Sequence, residues 1–195
     1  MIRQIETLQG QFLIAMPNMG DTRFEKSVVY LCAHSADGAM GFVINRTLDK
    51  PAVPDFLHQL NIVSEEERDT MPASLRLAPL YSGGPVEPGR GFVLHSPDYT
   101  SETTLVIEDA VSLTATLEIL RAISLGNGPR RVFMALGYSG WAAGQLEEEI
   151  AANGWLTCRS DAGLIFDRDQ DTKYTRALRG MGVNPSLLSG QAGHA

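Results

Sequence analysis

Apolar positions in the first third of the chain fall in short runs. Segments 11–16, 27–34 and 40–45 are rich in β-branched and aromatic residues, and Pro17, Asn18, Gly20 and the pair Asp37-Gly38 divide them with turn signals. The stretch 27–45 therefore predicts a β-hairpin. In its first arm Val29, Leu31 and Ala33 alternate with Val28, Tyr30, Cys32 and His34, so neither face is polar throughout, as expected of a strand covered on both sides. Segments 80–84, 91–95 and 103–108 predict further strands, with a loop at 85–90.

Helical spacing appears in three places. Phe56, Leu57 and Leu60 mark a short helix within 51–61, followed by an acidic, solvent-facing stretch at 64–69. Leu113, Leu117 and Leu120 predict a helix over 113–125, with Ser112 at its start and Gly126 ending it in a left-handed conformation. A buried strand at 131–137 then leads into a helix over 140–153, where Ala142, Leu146 and Ile150 recur every four residues and Glu147, Glu148 and Glu149 face outward. Short strands at 156–159 and 163–166, and short helices near 172–179 and from Asn184-Pro185, complete the pattern. The fold class predicted is α+β: one compact domain over 1–195 with a mixed, largely antiparallel sheet flanked by helices, and loosely ordered ends at 1–9 and 188–195.

Composition narrows the class. With 195 residues, 44% apolar and 20% charged, the chain has enough apolar residues for a globular core, which excludes a disordered chain. The net charge of −7 is uneven: residues 51–150 hold fourteen acids against six bases, whereas the segments on either side are nearly balanced. Such acidity argues against a duplex-binding surface, which needs clustered Lys and Arg. The first ten residues lack the apolar stretch of a signal peptide, and no run is long enough to cross a membrane. A cytoplasmic location is expected, with Cys32 and Cys158 free.

The sharpest chemical motif is Gly137-Tyr138-Ser139-Gly140-Trp141, placed at the predicted strand-to-helix turn. A nucleophile elbow has this context, but it needs a small residue where Trp141 stands, and the histidine nearest downstream of Ser139 is His194. Ser139 and Gly140 instead suit a helix start whose free N–H groups bind a small anion, with Arg46 or Arg90 supplying a cation. Gly83-Gly84 and Gly89-Arg90-Gly91 match neither a phosphate loop nor a dinucleotide fingerprint and read as tight hairpin geometry. Cys32 and His34 share a strand face, which makes Cys32 a candidate reactive thiol. No metal-ligand spacing is present, and no cofactor is expected.

Linked motifs extend along the chain: Met16-Pro17-Asn18-Met19; Phe24-Glu25-Lys26-Ser27-Val28-Val29-Tyr30; Gly38 to Arg46; Gly83-Gly84-Pro85-Val86; and Gly137 to Trp141 followed by Gly144 to Glu149. Together they resemble the bacterial AlgH/YqgE family, from about residue 10 to 187. The resemblance implies a cytoplasmic α+β protein without an established activity, in a family that carries the label of a transcriptional regulator. It also marks Asn18, Phe24, Ser27, Asn45, Arg46, Gly83, Gly84, Ser139, Gly140 and Trp141 as candidate pocket positions, to which the residue reading adds Arg90. The function expected is a non-enzymatic binding or regulatory protein that recognises a small anionic ligand or a protein partner. The alternatives are a hydrolase or thiol enzyme using Ser139 or Cys32, and a transcriptional regulator acting through a partner.

Overall fold

The computed structural model describes residues 7–188. The strands are β1 (Gln11–Ala15), β2 (Val28–Ser35), β3 (Gly38–Val43), β4 (Leu80–Ser82), β5 (Val86–His95), β6 (Leu105–Glu108), β7 (Val111–Thr114), β8 (Val132–Ala142) and β9 (Trp155–Arg159). The helices are α1 (Val53–Gln59), α2 (Glu65–Thr70), α3 (Ala73–Arg76), α4 (Leu117–Ser124), α5 (Gln145–Ala151), α6 (Ala162–Phe166) and α7 (Gln170–Gly180). This is the mixed α+β fold the sequence predicts. The chain packs as two compact units, one formed by residues up to 46 with those from 139 onward, the other by residues 47–138.

In the first unit the end of β8, β3, β2, β1 and β9 form an antiparallel series. β2 and β3 are the predicted hairpin, and residues 28–32 are buried on both faces. Leu13, Val29, Leu31, Val43, Leu146 and Trp155 make the apolar core on one side. Glycine is required at two crossings: a Cβ at Gly38 would sit 2.3 Å from the Trp141 carbonyl oxygen, and one at Gly41 would sit 2.5 Å from that of Tyr30. α7 is pinned to this unit by Lys173, whose Nζ donates to the carbonyls of Ile44 (2.8 Å) and Ile165 (3.0 Å).

In the second unit β6, β7, β5 and the first part of β8 run antiparallel in that order, and β4 pairs parallel with β8. α1 buries Phe56 and Leu57, and α4 buries Ile119 and Leu120, in a core with Val53, Val93 and Met134. The close fit of α1 onto β5 uses Gly91, where a Cβ would lie 2.9 Å from the Phe56 ring.

Several elements differ from the sequence expectation. The helix expected over 140–153 begins only at Gln145, because β8 continues through Ala142 along β3, pairing Ser139 with Gly41 and Trp141 with Ala39. The helix expected over 113–125 divides: Val111–Thr114 alternates as a strand beside β5 and β6, and α4 starts after Thr116. Gly126 does adopt φ +77° and ends it as expected. The stretch 163–166 is helical because the Asp161 carboxylate caps the Gly163 N–H at 2.7 Å. The loop expected at 85–90 is the start of β5, with Val86 paired to Tyr138 before the register shifts. The acidic stretch 64–69 holds α2, closed by a reciprocal capping box between Ser64 and Glu67. The terminal expectations for residues 1–6 and 189–195 lie outside the described residues.

Candidate functional site

The expected anion site at a helix start does not form around Ser139. Ser139 is fully buried within β8, six residues before α5 begins, and Gly140 is an exposed strand residue paired with Met40. Trp141 packs inward, stacked on Phe24 at 6.2 Å between ring centroids and edge-on to Trp155 at 5.9 Å. Both indole N–H groups donate to Glu149 Oε2, at 2.9 Å from Trp141 and 2.7 Å from Trp155, while Gln145 donates to Oε1. Glu149 is thus the polar anchor of an aromatic cluster, not one of three outward carboxylates.

Asn45 and Arg46 fix backbone. Asn45 accepts the Val28 N–H at 2.9 Å and donates to the Lys26 carbonyl at 2.8 Å, holding Lys26 at φ +53°. The Arg46 guanidinium donates to the carbonyls of Arg23 and Glu25 and to Ser27 Oγ. Together they shape the segment that delivers Phe24 to the tryptophans. Asn18 is exposed in the turn closed by the Met19 N–H on the Met16 carbonyl.

Cys32 is 1% exposed, with Sγ 3.9 Å from the Tyr30 carbonyl oxygen. His34 is not aimed at that thiol. The Leu8 N–H donates to Nδ1 at 3.0 Å, so Nε2 carries the ring proton and donates to Glu147 Oε1 at 2.8 Å. The bond from Glu147's own backbone N–H, with that from His34, holds the Glu147 carboxyl below the usual range.

Gly83, Gly84 and Arg90 belong to the other unit. The Gly83 N–H donates to the Leu136 carbonyl at 2.9 Å, and Gly84 brings its carbonyl to where a Cβ on Gly137 would be 2.6 Å away, at φ +69°. These glycines serve close backbone packing. Arg90 lies over the Phe92 ring at 5.0 Å and 3.4 Å from Glu87. The candidate residues are therefore divided between the two units: Asn18, Phe24, Ser27, Cys32, Asn45, Arg46, Ser139, Gly140 and Trp141 in one, and Gly83, Gly84 and Arg90 in the other.

A second polar cluster in the 47–138 unit is buried. His95 Nδ1–H donates to the Ser96 carbonyl at 2.8 Å, so Nε2 accepts from Thr114 Oγ1, which stands 2.8 Å from Thr104 Oγ1. Burial, partly opposed by the Ser96 carbonyl and Asp98, pushes the His95 pKa down. His95 and Thr114 are both 0% exposed, so this nucleophile-and-base geometry faces no solvent.

Open surface chemistry lies around α1. A groove of about 700 Å³ is lined by α1, the turn after it, the start of α2, and α4, including His58, Leu60, Ile62, Glu67, Leu117 and Arg121. A second groove of about 610 Å³ is also lined by His58, with Lys50, Asp55 and Arg68. His58 Nδ1 donates to the Val63 carbonyl at 3.1 Å, leaving Nε2 as a free acceptor. Arg121 donates to the Ile62 carbonyl and to Glu67 at 3.3 Å; the bonds from the Ser64 backbone and from Arg121 hold the Glu67 carboxyl below its ordinary value. Sequence reasoning missed this groove because His58 has no motif around it. The Ser64-x-x-Glu67 capping pattern was the one available signal. Among the described residues, no three His, Cys, Asp or Glu side chains gather as a metal-holding group, and no helix is long and apolar enough to cross a membrane.

Comparison with known proteins agrees with this architecture. The AlgH-like family model matches residues 12–186. A UPF0301 protein of Rhizobium etli is 57% identical over 186 residues, covering 95% of this chain and 92% of the relative. One from Beijerinckia indica is 56% identical over 189 residues, covering 96% and 92%. The solution structure of the AlgH protein from Pseudomonas aeruginosa superposes with a TM-score of 0.79 at 40% identity over the full length of both chains. A crystal structure from Corynebacterium diphtheriae shares the fold at a TM-score of 0.70 and 18% identity, covering 96% of this chain and 92% of that one. With the predicted motifs found and nearly the whole chain matched, the protein belongs to the AlgH-like family.

Proposed function

We propose that this is a non-enzymatic binding or regulatory protein whose working surface is the groove between α1, α2 and α4, and that it acts through a protein partner. A contrast in exposure carries the reading. Ser139 and Cys32, the side chains on which the hydrolase and thiol alternatives rest, are 0% and 1% exposed. A nucleophile must reach about 3–3.5 Å from its substrate atom, which a fully covered strand residue does not do. The groove, by contrast, opens to solvent and offers an apolar floor with hydrogen-bonding walls. A small anion is less well served there. Arg68 is surrounded by Asp55, Glu65 and Asp69, and Arg121 is engaged by Glu67 and the Ile62 carbonyl. The acidity of α2 likewise favours a protein partner over a nucleic-acid duplex.

Labelling of the folded protein with a fluorophosphonate and with iodoacetamide, read by peptide mass spectrometry, tests the non-enzymatic reading. Neither Ser139 nor Cys32 is expected to carry an adduct until the chain is denatured. Adduct formation on either residue in the folded state would overturn it.

A further inference from the structure

We infer that the groove between α1, α2 and α4 takes a basic amphipathic segment of a partner protein, an inference that rests on the binding reading above. The floor is apolar: Leu60, Ile62 and Leu117 line it, and Leu117 is 58% exposed. α4 buries Ile119 and Leu120 and leaves Leu117 in water at the groove. An uncovered leucine beside an apolar groove is an anchor that the apolar face of a helix can cover.

Charge selects the occupant. Glu67 and Glu118 line the groove, and α2, which begins at its edge, also presents Glu65, Glu66 and Asp69 to solvent against a single base, Arg68, which pairs with Glu65 and Asp69. The cation that lines it, Arg121, is already committed to Glu67 and the Ile62 carbonyl. The rim therefore has negative charge in excess. Residues 47–138 carry twelve acids against seven bases, the same bias at the scale of the unit. A segment with leucines at i, i+3 or i+4, and i+7 on one face and Lys or Arg on the other would lay the first on the floor and the second along the rim. The free His58 Nε2 adds an acceptor for one of those cations. The same rim repels an anionic lipid surface, and a second copy of this acidic chain would bring like charge to it.

The test is fluorescence anisotropy at low salt with a fluorescein-labelled synthetic helix of about 18 residues, Leu on one face and Lys on the other, five turns long. An otherwise identical peptide with Glu in place of Lys is the counterpart. Leu117→Asp is the decisive variant, because it adds negative charge and would strengthen a purely electrostatic association. We expect Leu117→Asp and the combined Glu65→Lys, Glu66→Lys and Glu118→Lys variant each to weaken binding by about tenfold or more. Glu148→Lys, on exposed α5 surface, should stay within about twofold, and the Glu-faced peptide should bind at least about tenfold more weakly. Thermal unfolding confirms that each variant is folded. Absence of binding, equal binding of both peptides, or undiminished binding by Leu117→Asp would overturn the inference. So would a dimer in sedimentation velocity that Leu117→Asp dissolves, which assigns the groove to a second copy. Failure of the peptide arms with Ser139 and Cys32 still unlabelled removes the basic partner alone; labelling of either removes the binding reading.

Discussion

At the scale of single residues, the side chains that look most like chemistry in the sequence are engaged in the packing of the fold. Ser139 lies in a sequence that resembles a nucleophile elbow, yet pairing with Gly41 carries it into the middle of a strand. Periodicity cannot reveal that outcome, because the β3 strand it pairs with is about a hundred residues away. Glu149 was equally illegible: a glutamate in a run of three reads as solvated, and only the fold brings both indoles onto one of its oxygens. Replacing Glu149 by Ala leaves two indole N–H donors without an acceptor and should cost about 2–4 kcal/mol. Glu149→Gln keeps an acceptor oxygen and should cost less than half as much. Urea unfolding followed by the fluorescence of Trp141 and Trp155, the chain's two tryptophans, measures both. Equal losses for the two variants would contradict the anchoring role.

At the scale of elements, the sequence reported strands well and helix boundaries poorly. β1, the β2–β3 hairpin, β9 and α1 lie where alternation and spacing put them, since each sits inside one uninterrupted periodic run. β7 was lost into α4 because Leu113, Leu117 and Leu120 satisfy helical spacing across a strand-to-helix junction. α7 shows another limit: Lys173 reads as a surface cation but is fully buried under two carbonyls. Burial, outweighing nearby Asp167, lowers its pKa from 10.5 to about 8. Between those values the unfolded chain still holds a proton that the folded chain has released, so this lysine adds stability as pH rises through that window. Unfolding free energies of the natural chain minus those of Lys173→Met should therefore grow by about 2–3 kcal/mol from pH 8 to 10.5. Chemical denaturation at several pH values reads the difference, and parallel profiles would contradict it.

For the whole molecule, five of the fourteen acids in residues 51–150 fall on α2 or in the lining of a groove whose floor is apolar. Fold and family were legible because turn glycines, strand alternation and linked motifs are local signals that survive in linear order. The groove was not, because Leu60, Ile62, Leu117 and Arg121 are separated by up to 61 positions and meet only once α1 and α4 pack on β5 and β8.

If partners engage this groove and not the Ser139 strand, titration of the Leu/Lys peptide should move backbone amide shifts in residues 58–67 and 117–125, with little change at 137–142. Shifts centred on Ser139, Gly140 and Trp141, with residues 58–67 unmoved, would place the partner elsewhere.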